Sequence, residues 1–326
     1  MRALALQFVA PRKLALVERA LDEPARDEIL VRTLYSGISS GTELLAYRGE
    51  IDPDTPLDDT IGALGGTFSY PFHYGYACVG VVESSSGDLG AGTLAFAFHP
   101  HQDRFVCATR DAIVLGDVDA RVATMFPLVE IALQITLDAA PSLGDTVVVT
   151  GLGCVGTLAA LLLQRAGARV VGVDPSSARR ALAAELDVEA VAPENARARA
   201  ADAPLVVEAS GNPAALAQAL PLLAHEGTAL VASWYGTKPA TLALGAEFHR
   251  RRLTIRSVQV STIPARMADR WTVERRRAHA VRLLGELPLK RLATHVYPFA
   301  RAADAFDALD RGDDRAMHVA LSYGER

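Results

Sequence analysis

The spacing of apolar residues along the chain changes near residue 120. Before that point, short apolar runs are divided by Gly, Pro, Asp and Ser, a pattern that is typical of strands joined by turns. Few segments there keep helical spacing for long enough to predict a helix. The predicted strands of this β-rich part are 3–9, 29–34, 77–82 and 94–98.

After residue 120, strand-like runs alternate with runs whose apolar residues recur at helical spacing. The predicted strands are 146–150, 168–173, 205–208, 228–233 and 253–260, and the predicted helices are 122–140, 157–166, 177–186 and 214–223. This alternation predicts βαβ units in an α/β fold, with helices on both faces of a parallel sheet. For the rest we predict a surface connection at 193–203, helices at 273–284 and 302–309, and strands at 295–297 and 318–321.

A glycine-rich turn joins the first strand of this alternating region to the next helix. Residues 151–156 read Gly-Leu-Gly-Cys-Val-Gly, and the following strand ends on Asp174, 23 residues after Gly151. This order of strand, turn, helix, strand and acid predicts a dinucleotide-binding site. Gly151 permits the tight turn, Gly153 lets the backbone approach the pyrophosphate, and Gly156 lets the helix pack on the strand. The alternative is a glycine-bearing turn that holds no nucleotide.

The residues around Asp174 bear on which nucleotide is bound. The Asp174 carboxylate can accept hydrogen bonds from both ribose hydroxyls and repels a 2′-phosphate, which favours NAD over NADP. Arg179 and Arg180 follow closely in the sequence. Because their positive charge could offset that repulsion, NADP stays open.

Composition excludes several other classes of protein. A chain of 326 residues suggests two domains, and a net charge of −5 argues against a nucleic-acid-binding surface. None of the three lysines lies in a P-loop motif. Cys78, Cys107 and Cys154 lie too far apart in sequence for a C-x-x-C zinc site. Such sparse cysteines are typical of a reducing compartment.

Two apolar stretches could be mistaken for a membrane-spanning segment or a signal peptide. Residues 146–164 contain no charged residue over 19 positions, nominally enough to cross a bilayer. Three glycines interrupt this stretch, so we interpret it as strand, turn and helix. The run 3–9 is interpreted as a strand and not as a signal peptide. We therefore expect a cytoplasmic protein that binds a small-molecule substrate and neither membrane nor nucleic acid.

Three segments resemble the medium-chain dehydrogenase/reductase superfamily, which contains the zinc alcohol dehydrogenases. They are Ser36-Gly-Ile-Ser-Ser-Gly-Thr-Glu, Phe72-His-Tyr-Gly-Tyr-Ala-Cys-Val-Gly-Val-Val and Val206-Val-Glu-Ala-Ser-Gly-Asn. The first two are most similar to bacteriochlorophyllide dehydrogenase-like members. The resemblance implies a GroES-like catalytic domain at 1–122 and 262–326, a Rossmann domain at 123–261, and a homodimer.

The chain departs from the zinc-binding members of that superfamily at their metal ligands. Where those members carry Cys, this chain has Ser39 or Ser40, and where they carry His and Glu it has Tyr76 and Ala77. Hydroxyls are poor zinc ligands compared with thiolate and imidazole, so we predict no catalytic zinc. A rebuilt metal site and a carboxylate ligand are the alternatives, and their candidate residues are His73, His99, His101 and Glu130.

Without zinc, hydroxyls must polarise the substrate oxygen. The resemblance gives Thr42 a proton-relay role and puts Tyr76 in the place of a zinc ligand, and Ser39 and Ser40 are further candidates. Glu43 matches an acid that supports this loop. The resemblance also implies that residues beyond the glycine motif and Asp174 line the cofactor site. These residues are Ser210, Trp234, Gln259 and His318, and His318 matches a position where relatives place a basic residue toward the pyrophosphate. The motif residues Cys154 and Val155, and Arg179 close to Asp174 in sequence, complete the candidate cofactor residues.

These features predict a zinc-independent, NAD(H)-dependent oxidoreductase. We expect it to interconvert a secondary alcohol and a ketone on a fairly apolar small molecule. One alternative is an NADPH-dependent reductase of C=C bonds in enones or quinones. The other is a nucleotide-binding interaction module that has lost its chemistry.

Overall fold

The computed structural model describes residues 1–85 and 89–324. Residues 86–88 and 325–326, which belong to the first predicted domain, lie outside these ranges. The strands are β1 (Arg2–Ala10), β2 (Lys13–Ala20), β3 (Glu28–Ile38), β4 (Cys78–Ser85), β5 (Leu94–Ala97), β6 (Arg104–Ala108), β7 (Ile113–Val114), β8 (Thr146–Thr150), β9 (Arg169–Val173), β10 (Glu189–Val191), β11 (Ala203–Glu208), β12 (Leu223–Val231), β13 (Thr254–Ser257), β14 (Ala293–Pro298) and β15 (His318–Ser322).

Helices accompany these strands mainly in the second half of the chain. They are α1 (Thr42–Arg48), α2 (Ala120–Ala123), α3 (Phe126–Ala139), α4 (Cys154–Arg165), α5 (Ser177–Glu185), α6 (Ala196–Ala200), α7 (Pro213–Ala219), α8 (Val273–Glu286) and α9 (Ala302–Asp310). No helix in the described ranges combines the length and the apolar character that crossing a bilayer requires.

The chain divides into two compact units. The first comprises residues 1–127 and 283–326, and the second comprises residues 128–282. The domain boundaries expected from the sequence stay a prediction.

The first unit is built on an antiparallel sheet and a separate hairpin. The sheet has the strand order β14-β15-β3-β4-β5-β7, with β6 also paired to β3, and only β14 and β15 run parallel. The hairpin is β1-β2. Its Phe8 ring stacks on Phe72 at 5.2 Å and meets Phe306 edge-on at 5.5 Å. This aromatic cluster lies at the centre of the main core of the unit.

The second unit contains the parallel sheet that the sequence predicts. Its strand order is β10-β9-β8-β11-β12-β13, and every pairing in it is parallel. The central strand β8 is buried over residues 147–150 because both its faces are covered. Ser176 caps α5 and Asn212 caps α7, which fixes where each helix begins after its strand.

Strands β2, β6 and β7 of the first unit and three further short elements were not predicted from the sequence. The three further elements are one helix near the start of the chain and a strand and a helix in the second unit. The first is α1, which has seven residues of which five are buried, too few for a clear helical period. The others are β10 and α6, which lie at and near the predicted surface connection 193–203. The helix expected at 122–140 is two helices, because α2 ends near Thr124, whose hydroxyl donates to the Arg121 carbonyl at 2.6 Å.

Candidate active site

The predicted cofactor residues of the second unit collect at one edge of its parallel sheet. Strand order reverses around β8, and ligands bind at the carboxyl ends of strands beside such a reversal. Gly151 directly follows β8 and Asp174 follows β9, while Ser210, Trp234 and Gln259 lie within three residues of the ends of β11, β12 and β13. The sheet therefore brings these five positions to a common edge.

The three glycines of the turn meet three different steric conditions. Gly151 has φ +87°, and a Cβ there would lie 2.5 Å from the Ser210 Cα. A Cβ on Gly156 would lie 1.8 Å from the Gly151 carbonyl oxygen. A Cβ on Gly153 would meet no atom within 4 Å. Gly151 and Gly156 are needed for folding, whereas Gly153 leaves open space at the start of α4.

That open space lies at a helix N-terminus, where backbone N–H groups lack intrahelical acceptors and carry partial positive charge. Gly153 and Val155 are partly exposed there. Cys154 is buried, and burial raises the pKa of its thiol to about 12. Cys154 can therefore offer its backbone amide, but its thiol stays protonated and inert. These residues fit a bound pyrophosphate.

Asp174 is a buried carboxylate that is held by the backbone around it. Its Oδ2 accepts from the Leu152 amide at 2.7 Å and its Oδ1 accepts from the Ser176 amide at 2.8 Å. The Arg179 Nη1 lies 3.8 Å from Oδ2, and Arg180 donates to the Asp174 carbonyl at 2.8 Å. Only 3% of the Asp174 side chain is exposed. Ribose hydroxyls can therefore reach the remaining lone pairs of its carboxylate only if neighbouring groups move aside.

Glu208 is a feature of this edge that the sequence analysis did not single out. It is 0% exposed at the end of β11. Its Oε1 accepts from the Ser210 amide at 2.7 Å and from the Ser210 hydroxyl, and its Oε2 accepts from the Tyr235 hydroxyl at 2.6 Å. Burial and the Glu208 charge raise the pKa of Tyr235. An acid that ends an apolar strand is the signal that could have identified it.

The segments after β12 and β13 place their predicted residues at the surface. Trp234 is 43% exposed. The Gln259 Oε1 accepts hydrogen bonds from the amides of the next two residues, so its side chain folds back on its own turn. Their roles toward the cofactor stay predictions.

Glu130, which was considered as a carboxylate ligand, forms an ion pair within the second unit. Its Oε1 accepts from the Arg276 Nη2 at 3.0 Å, and both side chains are almost fully buried. Arg276 also donates to the Val260 carbonyl at 2.6 Å. One oxygen of the Glu130 carboxylate is therefore paired with a guanidinium, and the alternative of Glu130 as a metal ligand stays untested.

In the first unit, three of the four predicted catalytic hydroxyls converge. Ser39 follows β3, Thr42 begins α1 and Tyr76 precedes β4. The Ser39 and Thr42 side chains lie close enough to the Tyr76 hydroxyl to lower its pKa. Ser40 is exposed at the turn, and within the described part of the chain it is not one of the groups that shift the pKa of Tyr76. We call Ser39, Thr42 and Tyr76 the hydroxyl cluster.

The surroundings of the hydroxyl cluster keep Tyr76 protonated. Burial and the nearby Glu43 charge raise the pKa of Tyr76 to about 12, although the Ser39 and Thr42 hydroxyls act to lower it. The Tyr74 ring meets the Tyr76 ring edge-on at 6.0 Å. At neutral pH, Tyr76 is therefore a phenol that can donate a hydrogen bond.

Beneath the hydroxyl cluster runs a buried chain of polar groups that sequence spacing could not predict. The Glu43 Oε1 accepts from the Ser39 amide at 2.9 Å, and its Oε2 lies 2.8 Å from the His101 Nε2. The His101 Nδ1 lies 2.6 Å from the Ser36 Oγ, which lies 2.9 Å from the Tyr323 hydroxyl. Glu43, His101 and Ser36 are each 0% exposed.

The remaining histidines of the proposed alternative metal site have other partners. The His73 Nδ1 lies 2.8 Å from the Leu6 carbonyl, and the His99 Nδ1 lies 2.9 Å from the Pro100 carbonyl. The His99 ring stacks on Phe105 at 4.1 Å. Within residues 1–85 and 89–324, no three His, Cys, Asp or Glu side chains come together as a metal site.

The donor set near Tyr76 does not fit zinc. Hydroxyls surround it, and the carboxylate in reach, Glu43, uses one oxygen for a backbone amide and the other for His101. Zinc sites in proteins use thiolate, imidazole and carboxylate ligands. The absence of zinc from the working protein stays a prediction.

His318 lies in the first unit and does not carry the positive charge expected of it. It is 3% exposed, and its Nε2 lies 2.8 Å from the Thr124 Oγ1. Burial and the Arg121 charge lower its pKa to about 4, so the imidazole is neutral near pH 7. Its proposed contact with the pyrophosphate stays a prediction.

Comparison with known proteins gives a consistent set of relatives. Residues 154–273 match the family described as zinc-binding dehydrogenase. The chain is 27% identical over 326 residues to the 2-desacetyl-2-hydroxyethyl bacteriochlorophyllide A dehydrogenase of Cereibacter sphaeroides, covering 94% of each. It is 25% identical over 351 residues to the D-guloside 3-dehydrogenase of Escherichia coli K12, covering 98% and 99%.

Solved structures share the fold across the whole chain. An alcohol dehydrogenase of Escherichia coli CFT073, solved with NADH, superposes with a TM-score of 0.78 at 18% identity and covers 98% of this chain and 99% of its own. This likeness confirms the predicted pairing of a GroES-like β-rich domain with a Rossmann domain.

Proposed function

We propose that the chain is a member of the medium-chain dehydrogenase/reductase superfamily and an NAD(P)-dependent oxidoreductase. In this proposal it interconverts a secondary alcohol and a ketone with NAD(H) and without zinc. The observation that carries this proposal is the hydroxyl cluster. Ser39 and Thr42 lie close enough to Tyr76 to lower its pKa. By the sequence resemblance, Tyr76 takes the position of a zinc ligand in the zinc-binding members.

The residues of the hydroxyl cluster suit the proton chemistry of ketone reduction. When bound, the nicotinamide coenzyme supplies or accepts the hydride at the substrate carbon. Tyr76 donates a hydrogen bond to the ketone oxygen and transfers its proton as negative charge develops there. The Ser39 and Thr42 hydroxyls donate to the phenolate oxygen that remains. A proton from solvent restores Tyr76, and alcohol oxidation follows the same path in reverse.

The choice of NAD(H) over NADP(H) rests on Asp174. Its buried carboxylate accepts hydrogen bonds from two backbone amides, and a 2′-phosphate would place further negative charge beside it. Arg180 is directed away from this role, because it donates to the carbonyls of Asp174 and Pro175 at 2.8 Å.

The fairly apolar character that we propose for the substrate rests on the surroundings of Tyr76. Its ring packs against the main apolar core of the first unit. Tyr74 and Phe72 belong to the same cluster. A bulky apolar group beside the reacting carbon suits such a surface.

The test measures NADH oxidation with a panel of ketones by wild-type protein and by Tyr76→Phe. We expect Tyr76→Phe to lower kcat by about 10²–10⁴-fold, the usual contribution of a general acid, while NADH affinity is unchanged. The matched control is Tyr70→Phe, because the Tyr70 hydroxyl donates to the Ala46 carbonyl outside the hydroxyl cluster. Equal kcat in wild type and Tyr76→Phe would exclude Tyr76 from the reaction. Faster turnover of enones with NADPH would favour the C=C reductase.

A further inference from the structure

In the buried chain from Glu43 to Tyr323, every group can take part in a hydrogen bond. In one arrangement of the protons, Tyr323 donates to the Ser36 oxygen, the Ser36 hydroxyl donates to the His101 Nδ1, and the His101 Nε2–H donates to Glu43. Each of these groups then has a partner within the first unit. Such complete satisfaction is required, because an unpaired buried polar group is costly.

His101 contacts neighbours of the hydroxyl cluster on both of the chain segments that carry it. Through Glu43 it reaches the turn between β3 and α1, since Glu43 accepts from the Ser39 amide and donates its own amide to the Ser39 carbonyl, both at 2.9 Å. On the other side, the His101 amide donates to the Tyr74 carbonyl at 3.2 Å. The imidazole also packs on Gly75, where an added Cβ would lie 2.5 Å from the ring.

We propose that His101 is a positioning residue of the active site, which holds the Ser39–Thr42 turn and the Gly75–Tyr76 segment against each other. The inference rests on the proposed function of the hydroxyl cluster. His101 does not touch the reacting atoms in this account. Its role is to keep two chain segments, more than 30 residues apart in sequence, at the separation that their hydroxyls need.

The charge on Glu43 makes this arrangement dependent on His101. A carboxylate that is 0% exposed must be compensated by hydrogen bonds, and the side-chain donor that it has in the structure is His101. Gly75, with φ +103°, adopts a backbone conformation that L side chains rarely take, and it leaves room for the imidazole. The Ser39–Thr42 turn therefore needs the His101 donor, and the His101 ring needs the space that Gly75 leaves.

The experiment compares His101→Leu, which removes both side-chain hydrogen bonds, with His101→Gln, whose amide can still donate to Glu43 and accept from Ser36. His99→Leu is the matched control, because His99 lies two residues away and contacts Pro100 and Phe105 instead. Ser36→Ala, a smaller change on the far side of His101, serves if His101→Leu does not fold. Each variant is assayed for kcat, ketone KM, NADH affinity and amide hydrogen exchange.

We expect His101→Leu to lower kcat by about 10- to 100-fold, less than the loss of a catalytic group. NADH affinity should stay unchanged, and His101→Gln should recover most of kcat. The Ser39 and Glu43 amides should exchange at least tenfold faster in His101→Leu, whereas those of β4 keep their wild-type rates. Ser36→Ala should show the same pattern to a smaller degree.

Unchanged exchange at Ser39 and Glu43 in His101→Leu and Ser36→Ala would overturn the positioning role, as would an equal loss of kcat in His99→Leu. Hydrogen exchange needs no turnover. If the wild-type protein reduced no ketone, the proposed function would fail, and exchange would still decide whether His101 holds the turn.

Discussion

Gly153→Ala separates cofactor binding from folding, because the new methyl group meets nothing in the protein itself. Gly153 has φ −67° and ψ −175°, which alanine adopts without strain. Restricting the unfolded chain stabilises the protein by about 0.4–1 kcal/mol, and losing glycine at a helix N-cap costs a similar amount. We therefore expect the free energy of unfolding to stay within about 1 kcal/mol of wild type.

The methyl group should instead appear as a loss of NADH affinity. It would occupy the open space at the start of α4, which the pyrophosphate needs. Overpacking of this size costs about 1–3 kcal/mol, and 1.4 kcal/mol is tenfold in affinity, so we expect a loss of roughly 5- to 150-fold. Titration followed by NADH fluorescence measures the affinity, and thermal unfolding measures the stability.

Two further glycines provide the comparisons for this prediction. Gly156→Ala should destabilise the protein, since its Cβ would lie 1.8 Å from the Gly151 carbonyl oxygen and α4 would have to move. Gly65→Ala should change neither property, because a Cβ there meets no atom within 4 Å and lies in the first unit. If Gly153→Ala bound NADH as tightly as wild type, the glycine turn would not be the pyrophosphate site.

Two other predictions concern charge. Asp174→Asn keeps one oxygen acceptor but removes the charge, so the ratio of NADP(H) to NAD(H) affinity should rise about ten- to a hundredfold in fluorescence titrations, and an unchanged ratio would refute the role of Asp174. The pKa of His318 is lowered to about 4 by burial, so the unfolded chain binds its proton first as the pH falls from 6.5. The contribution of neutral, buried His318 to the free energy of unfolding is fully present above pH 6.5. In wild type, about 3 kcal/mol of that free energy is lost by pH 4. In His318→Asn, denaturant titrations should show a shallower loss, and an equal slope would contradict the assignment.

Local pattern predicted the second unit well because its signals lie within single elements. Strand 146–150 and the start of the helix at 177 agree with β8 and α5. Strand β8 contains a continuous apolar run, and Ser176 supplies the N-cap of α5. The sequence also predicted why the turn needs its glycines. At Gly151 and Gly156, the close contacts that a Cβ would make confirm those reasons.

The contacts that define the hydroxyl cluster could be predicted only in part. Residue types and a resemblance identified Thr42, Tyr76 and Ser39, but not that their hydroxyls meet. The pairing of Glu43 with His101 joins residues 58 positions apart. From the sequence, His101 was considered as an ordinary histidine or a metal ligand. Neither composition nor spacing shows which buried acid a histidine contacts.

The most direct test of the central claim, that hydroxyls and not a metal polarise the substrate, is ketone reduction by NADH before and after treatment with a strong chelator. The metal content is measured on the same samples. The account predicts an unchanged kcat in protein stripped of metal. Loss of turnover that one equivalent of Zn²⁺ restores would contradict it.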